Sequence, residues 1–123
     1  MYIFHIFRHF RDYLRLRAAV KMADEQHAKD GDRYYVVPST NGQLLVMDRK
    51  NFKKMKQKGY IDKKVNLNDL RRSAFYYTPY PNGSDAMNEA LKKEGAEMYY
   101  AWCNFQRVGK KNKKHGKQGK AKA

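Results

Sequence analysis

The sequence predicts a small α+β fold, and three observations carry that prediction. An N-terminal segment without Gly or Pro has apolar residues at the helical period. Two β-rich runs flank Asn41-Gly42. A second helical stripe of apolar residues lies between Met87 and Phe105. The expected architecture is a three-stranded antiparallel sheet, one Asn-Gly hairpin plus a third strand, packed by N- and C-terminal helices. At 123 residues the chain has length for one domain. Residues 1–107 read as that domain, and residues 108–123 as a lysine-rich tail that is disordered in isolation.

The elements follow in chain order. Ile3, Ile6, Phe10, Tyr13, Leu16, Val20 and Ala23 recur at steps of three and four, which predicts an amphipathic helix over Tyr2 to Lys29. Arg8, Arg11 and Arg15 cluster on its other face, and its apolar stripe is expected to cover the sheet. Lys29-Asp30-Gly31-Asp32 ends it. Arg33 to Pro38 and Gln43 to Asp48 read as paired strands, with Asn41-Gly42 favouring a type I′ turn. Pro38 cannot donate a ladder hydrogen bond and belongs at an edge or strand end.

Asp48 or Asn51 can cap a helix over Phe52 to Lys58, with Gly59 at its end. Tyr60-Ile61 is expected to pack back on the core. Leu67 to Arg72 reads as a short helix capped by Asn66 or Asn68, and Ala74 to Thr78 as the third strand. After the turn-rich stretch Pro79 to Gly83, Ser84 can cap a final helix. Its stripe is Met87, Leu91, Met98, Trp102 and Phe105, and Glu94-Gly95 predicts a kink or a division into two helices. Cys103 falls off that stripe and is expected to be exposed.

The charge points to a polyanion. The net charge is +15. Before Arg107, nineteen basic residues face twelve acidic ones, a net +7, and from Arg107 onward eight basic residues stand without an acid. Lys110, Lys111, Lys113, Lys114, Lys117, Lys120 and Lys122, interleaved with Gly, can follow a phosphate backbone and release counterions. A second cluster, Arg49, Lys50, Lys53, Lys54, Lys56 and Lys58, crowds a short helix, where like charges four residues apart cost stability unless an anion meets them. The plainer accounts are a solubility tail and a solvated helix face. Lysine is a point charge, so neither cluster reads bases. Tyr34, Tyr35, Tyr76 and Tyr77 form adjacent pairs on strands. One of each pair is expected to face the core, and the other is available to stack unpaired bases, which tilts the expectation toward single-stranded nucleic acid.

Other chemistry has little footing. The single cysteine excludes an intrachain disulfide and favours a reducing compartment. No secretory signal is read at the N-terminus, and no stretch nears the roughly 20 apolar residues of a membrane span. The expected place is the cytoplasm, either a host's or the inside of a particle. His5 and His9 have a helical ligand spacing but no short-spaced third ligand, so no metal is expected. No nucleotide loop, Cys-x-x-Cys or Gly-x-Ser-x-Gly is present, so no catalytic residue, cofactor or enzymatic activity is expected. The rival reading is an interaction or structural protein whose amphipathic N-terminal helix docks on a protein, a further copy or a membrane surface.

Arg33-Tyr-Tyr-Val-Val, Leu45-Val-Met-Asp-Arg49 and Ala74-Phe-Tyr-Tyr-Thr78 resemble a pattern in small basic proteins encoded by phages of gut bacteria, including single-stranded-DNA microviruses. The resemblance spans about residues 10 to 80. That setting, taken with the tail chemistry, suggests DNA packaging, with a minor virion protein or engagement of a host factor as the alternatives, and the resemblance assigns no catalytic or binding residue.

Overall fold

The computed structural model describes the backbone of residues 2–39 and 42–122, and the side chains of residues 8–39 and 42–107. The elements are α1 (Tyr2–Asp30), β1 (Tyr34–Pro38), β2 (Leu44–Asp48), α2 (Arg49–Gln57), α3 (Leu67–Ser73), β3 (Tyr76–Tyr77) and α4 (Glu89–Lys122). The sheet runs β2-β1-β3, antiparallel throughout. The fold is therefore the expected α+β one.

Four successive residues of β1, Tyr34 to Val37, are buried, so the central strand is covered on both faces. Tyr35 and Val37, with Met47 of β2, pack against Phe52 of α2 and Leu70 of α3. Tyr34 and Val36 pack against Ala19 and Ala23 of α1. A third cluster joins Leu16 of α1 to Tyr99 and Cys103 of α4 around Phe75. The result is three layers: α1 and α4, the sheet, then α2 and α3.

Pro38 closes β1 opposite Leu44, and the Ser39 N–H donates to Gln43 O at 2.8 Å. Three residues, 40–42, therefore span the tip, with Gly42 at φ +71°. The expected two-residue turn is one residue too short, and Thr40 and Asn41 lie outside the described residues. β3 is shorter than the Ala74–Thr78 run because only Tyr76 and Tyr77 pair in register. Flanking bonds from Phe75 N–H to Val36 O and from Thr78 N–H to Tyr34 O hold its ends.

α1 buries Asp12, Leu16, Ala19 and Ala23, whereas Phe10 and Tyr13 of the expected stripe are 56% and 41% exposed. Length explains the difference. A helix of 29 residues is about 44 Å long, while a five-residue strand covers about 17 Å, so the N-terminal half of α1 overhangs the sheet.

α4 corrects three expectations. It begins at Glu89 because Asn88 caps it, accepting from Leu91 N–H at 2.8 Å, while Ser84 turns back on Asn82. It is not divided at Gly95, where the glycine serves contact. A Cβ there would lie 1.9 Å from Phe75 O. Helix and strand thus meet backbone to side chain-free backbone. The buried face follows from that approach: Gly95, Tyr99 and Cys103 are buried, while Met98 and Phe105 are 46% and 72% exposed. Cys103 is consequently a core residue. The helical backbone continues to Lys122 through the segment expected to be disordered in isolation, whose side chains are outside the described set.

A cationic knot fastens the loop before α4. The Arg33 side chain is 4% exposed. Its guanidinium lies 4.1 Å from the Tyr80 ring centroid, 4.4 Å from Tyr77 and 5.2 Å from Tyr35. Nη2 donates to Asp85 at 2.9 Å, while Nε and Nη1 meet no acceptor among the described residues. The three ring faces supply the compensating negative potential. Arg71 holds the same carboxylate with two bonds, at 2.7 and 2.8 Å. Asp85 adopts φ +54°, a conformation non-glycine residues rarely take, so these bonds fix a strained turn.

Two outcomes follow. Gly95→Ala should lower stability by about 1–3 kcal/mol in urea unfolding despite alanine's better helix propensity, because the added methyl cannot share space with Phe75. Asp85 is held down at about 2, first by the hydrogen bonds from Arg71 and against the opposing effect of burial. A depressed carboxyl contributes stability that is present above its ordinary 3.8 and is lost as pH falls through about 2. Thermal melts of Asp85→Asn should start lower than wild type and lose less as the pH drops across that window. Equal acid losses in both proteins would reject the assignment.

Candidate nucleic-acid interface

The lysine cluster sits on a well-capped helix. Asp48 accepts from Asn51 N–H at 2.8 Å at the start of α2. At its end, Gly59 N–H donates to Lys56 O and Tyr60 N–H to Met55 O, with Gly59 at φ +83°, which is a Schellman closure. The cap at Asp48 starts the helix at Arg49, three residues before Phe52. Buried Phe52 and half-buried Met55 dock it on the sheet, and the remaining positions are left to cations.

The cations divide into two sets. Lys50, Lys54 and Lys58 form an exposed outward row. Arg49, Lys53 and Lys56 line a shallow groove of about 510 Å³ with Phe52, Asn66, Leu67 and Asn68. Lys56 is half-buried, with Nζ 5.3 Å from the Phe52 centroid. No carboxylate pairs with any of these six cations among the described residues. Lys110 to Lys122 lie outside the residues with described side chains.

The strand tyrosines are unavailable to bases. Tyr34, Tyr35 and Tyr77 are buried, and Tyr76 is half-buried with its hydroxyl donating to Asp24 at 2.6 Å. Both faces of the sheet carry helices, and among the strand residues only Pro38, at the end of β1, is exposed. Tyr60 is instead the open aromatic ring near the cluster. It is 75% exposed beside the end of the lysine row, while Ile61 alone packs back on the core. The signal was the Gly59 cap itself, which reverses the chain and sends one of the next two side chains outward.

A second cationic surface was missed as a site. Arg8, Arg11 and Arg15 of α1, with Arg107 of α4, line a groove of about 970 Å³ that also reaches Trp102 and residues Gln43 to Val46. Arg107 is engaged by buried Asp12 at 2.7 and 2.8 Å. Arg8, Arg11 and Arg15 are exposed and meet no carboxylate among the described residues. Their clustering was visible in the helical period. What hid the groove was α4, which packs from far along the chain to form the opposite wall.

The remaining reactive groups are quiet. Burial pushes the Cys103 thiol up, away from thiolate. The His9 ring packs on Tyr100 at 4.6 Å, and His5 is outside the described side chains. No cluster of three His, Cys, Asp or Glu side chains and no helix long and apolar enough to cross a membrane is found among the described residues. Compared with protein-family models, curated proteins and solved structures, the chain matches none of them.

Proposed function

We propose that this protein is a non-enzymatic, sequence-nonspecific nucleic-acid-binding protein that holds phosphates on the lysine face of α2 and on its lysine-rich C-terminal segment. The observation that carries this reading is the row Lys50, Lys54, Lys58: exposed, without ion pairs among the described residues, and built on a helix secured at both ends. Point charges in a row neutralise a phosphate backbone without reading its sequence. Exposed Tyr60 at the end of the row offers a ring for an unpaired base, which favours single strands. The resemblance to phage proteins supplies a setting, DNA packaging or association with a virion. A second reading rests on Phe10 and Leu14, which are 56% and 45% exposed on the overhanging half of α1. There the helix docks on a protein or a membrane surface.

Binding to labelled single-stranded DNA, duplex DNA and RNA across a salt series tests the first reading. The full chain should show a log–log slope of several units, about −0.7 per phosphate neutralised on single strands and about −0.9 on duplex. Ending the chain at Gly109 should shrink that slope, and so should K50E/K54E/K58E. Tyr60→Ala should weaken single-strand binding by about 1–3 kcal/mol and leave duplex binding in place. No binding at low salt by the full chain would sink the proposal, and liposome flotation with pull-down would then test the second reading.

A further inference from the structure

We propose that the groove between α1, α4 and the outer edge of β2 is a docking site for an extended acidic peptide segment, which adds to the sheet as a fourth strand. This goes beyond the nucleic-acid reading and does not depend on it.

The edge is free. β2 is the terminal strand on its side of the sheet. The Ser39–Gln43 bond and the register pair Val37 with Leu45 and Tyr35 with Met47, so those residues bond inward to β1. Val36 and Tyr34 accept from Phe75 and Thr78 on the other side of β1, which fixes the same alternation. The N–H and C=O groups of Leu44 and Val46 therefore point out of the sheet. The groove reaches that edge, because Leu45 lines it although its side chain packs with the cluster on the opposite face. Natural sheets blunt such an edge with Lys, Pro or a bulge. Leu44 to Met47 carry none of these.

The charge around the edge selects the occupant. Arg8, Arg11 and Arg15 stand beside it, and the acid lining the groove, Asp12, is already bonded to Arg107. Arg11 and Arg15 are separated by about 6 Å of helix rise. Side chains on one face of a strand repeat at about 6.7 Å. A strand with carboxylates at alternate positions thus presents them in step with these arginines while its backbone pairs with Leu44 and Val46. A nucleic acid satisfies the arginines but has no alternating backbone donors and acceptors to pair with the strand edge. A basic or neutral strand is repelled or left unassisted by the same arginines.

Trp102 is the single tryptophan and lines the groove, so its emission reports on occupancy. The probes are a capped peptide of alternating valine and glutamate, its valine–lysine counterpart, and an oligothymidylate of matched charge. The glutamate peptide should change Trp102 emission, shift the Leu44 and Val46 amide resonances and slow their hydrogen exchange, while the lysine peptide does none of these. R11E/R15E should weaken the glutamate peptide by roughly tenfold or more. Val46→Pro removes an outward N–H that the β1–β2 ladder does not use, so it should weaken binding similarly while the melting temperature shows the fold retained. If Val46→Pro does not fold, the wild-type Leu44 and Val46 amides decide the matter. Glutamate-peptide binding that leaves those amides unmoved overturns the strand-addition proposal. So does oligothymidylate that displaces the peptide and binds the groove more tightly, which would make the groove a nucleic-acid site.

Discussion

The burial of β1 on both faces is the constraint from which the rest of this structure follows. A strand whose successive residues Tyr34, Tyr35, Val36 and Val37 are all withdrawn from water needs cover above and below. The chain supplies it with α1 and α4 on one side and α2 and α3 on the other. Outside that cover, α2 displays Lys50, Lys54 and Lys58 and α1 displays Arg8, Arg11 and Arg15, beside apolar side chains such as Phe10, Leu14, Met98 and Phe105 that the small core leaves exposed.

The acids explain why the outside is so positive. Asp12 holds Arg107, Asp24 accepts from Tyr76, and Asp30 accepts from Tyr34. Asp48 and Asp69 cap helices, Asp62 closes a turn on Lys64 N–H, and Asp85 joins Arg33 to Arg71. Seven of the eight aspartates thus serve internal bonds through their side chains. Each is the short acceptor a cap, turn or latch requires. The lysines of α2 and the arginines of α1 keep their charge for whatever lies outside. Composition reveals the size of the excess, and the hydrogen bonds reveal where it is expressed.

Fold class, element order, the hairpin and the capped lysine helix were legible in the sequence because each rests on local chemistry: a 3.6-residue period, a Gly with positive φ, an Asp or Asn at a cap. Where the reading failed, a distant segment decided the outcome. Gly95 looked like a break because its partner, the Phe75 carbonyl, is twenty residues away in sequence. Met98 and Phe105 looked like core because they share a helical stripe, whereas the approach of Gly95 to Phe75 turns the face of Gly95, Tyr99 and Cys103 inward. The tyrosine pairs looked half-exposed because a strand alone does not show whether its second face is covered. Lys50 to Lys58 were legible as a site because one helix displays them. The arginine groove needed α1, α4 and β2 together, and only its arginines could be read in advance.

The layering has a consequence for how the molecule handles partners. The lysine row of α2 and the arginine row of α1 lie on opposite sides of the sheet, with the buried β1 core between them. Occupying one does not block the other, since no side chain belongs to both. With both proposed ligands bound, such a body would be a two-sided connector rather than a single clamp. Ligands held on its two faces are brought to a fixed separation, and each is presented to the other at the high effective concentration that a short rigid link confers. Crowding all the cations onto one face would have given a stronger field there and no bridge.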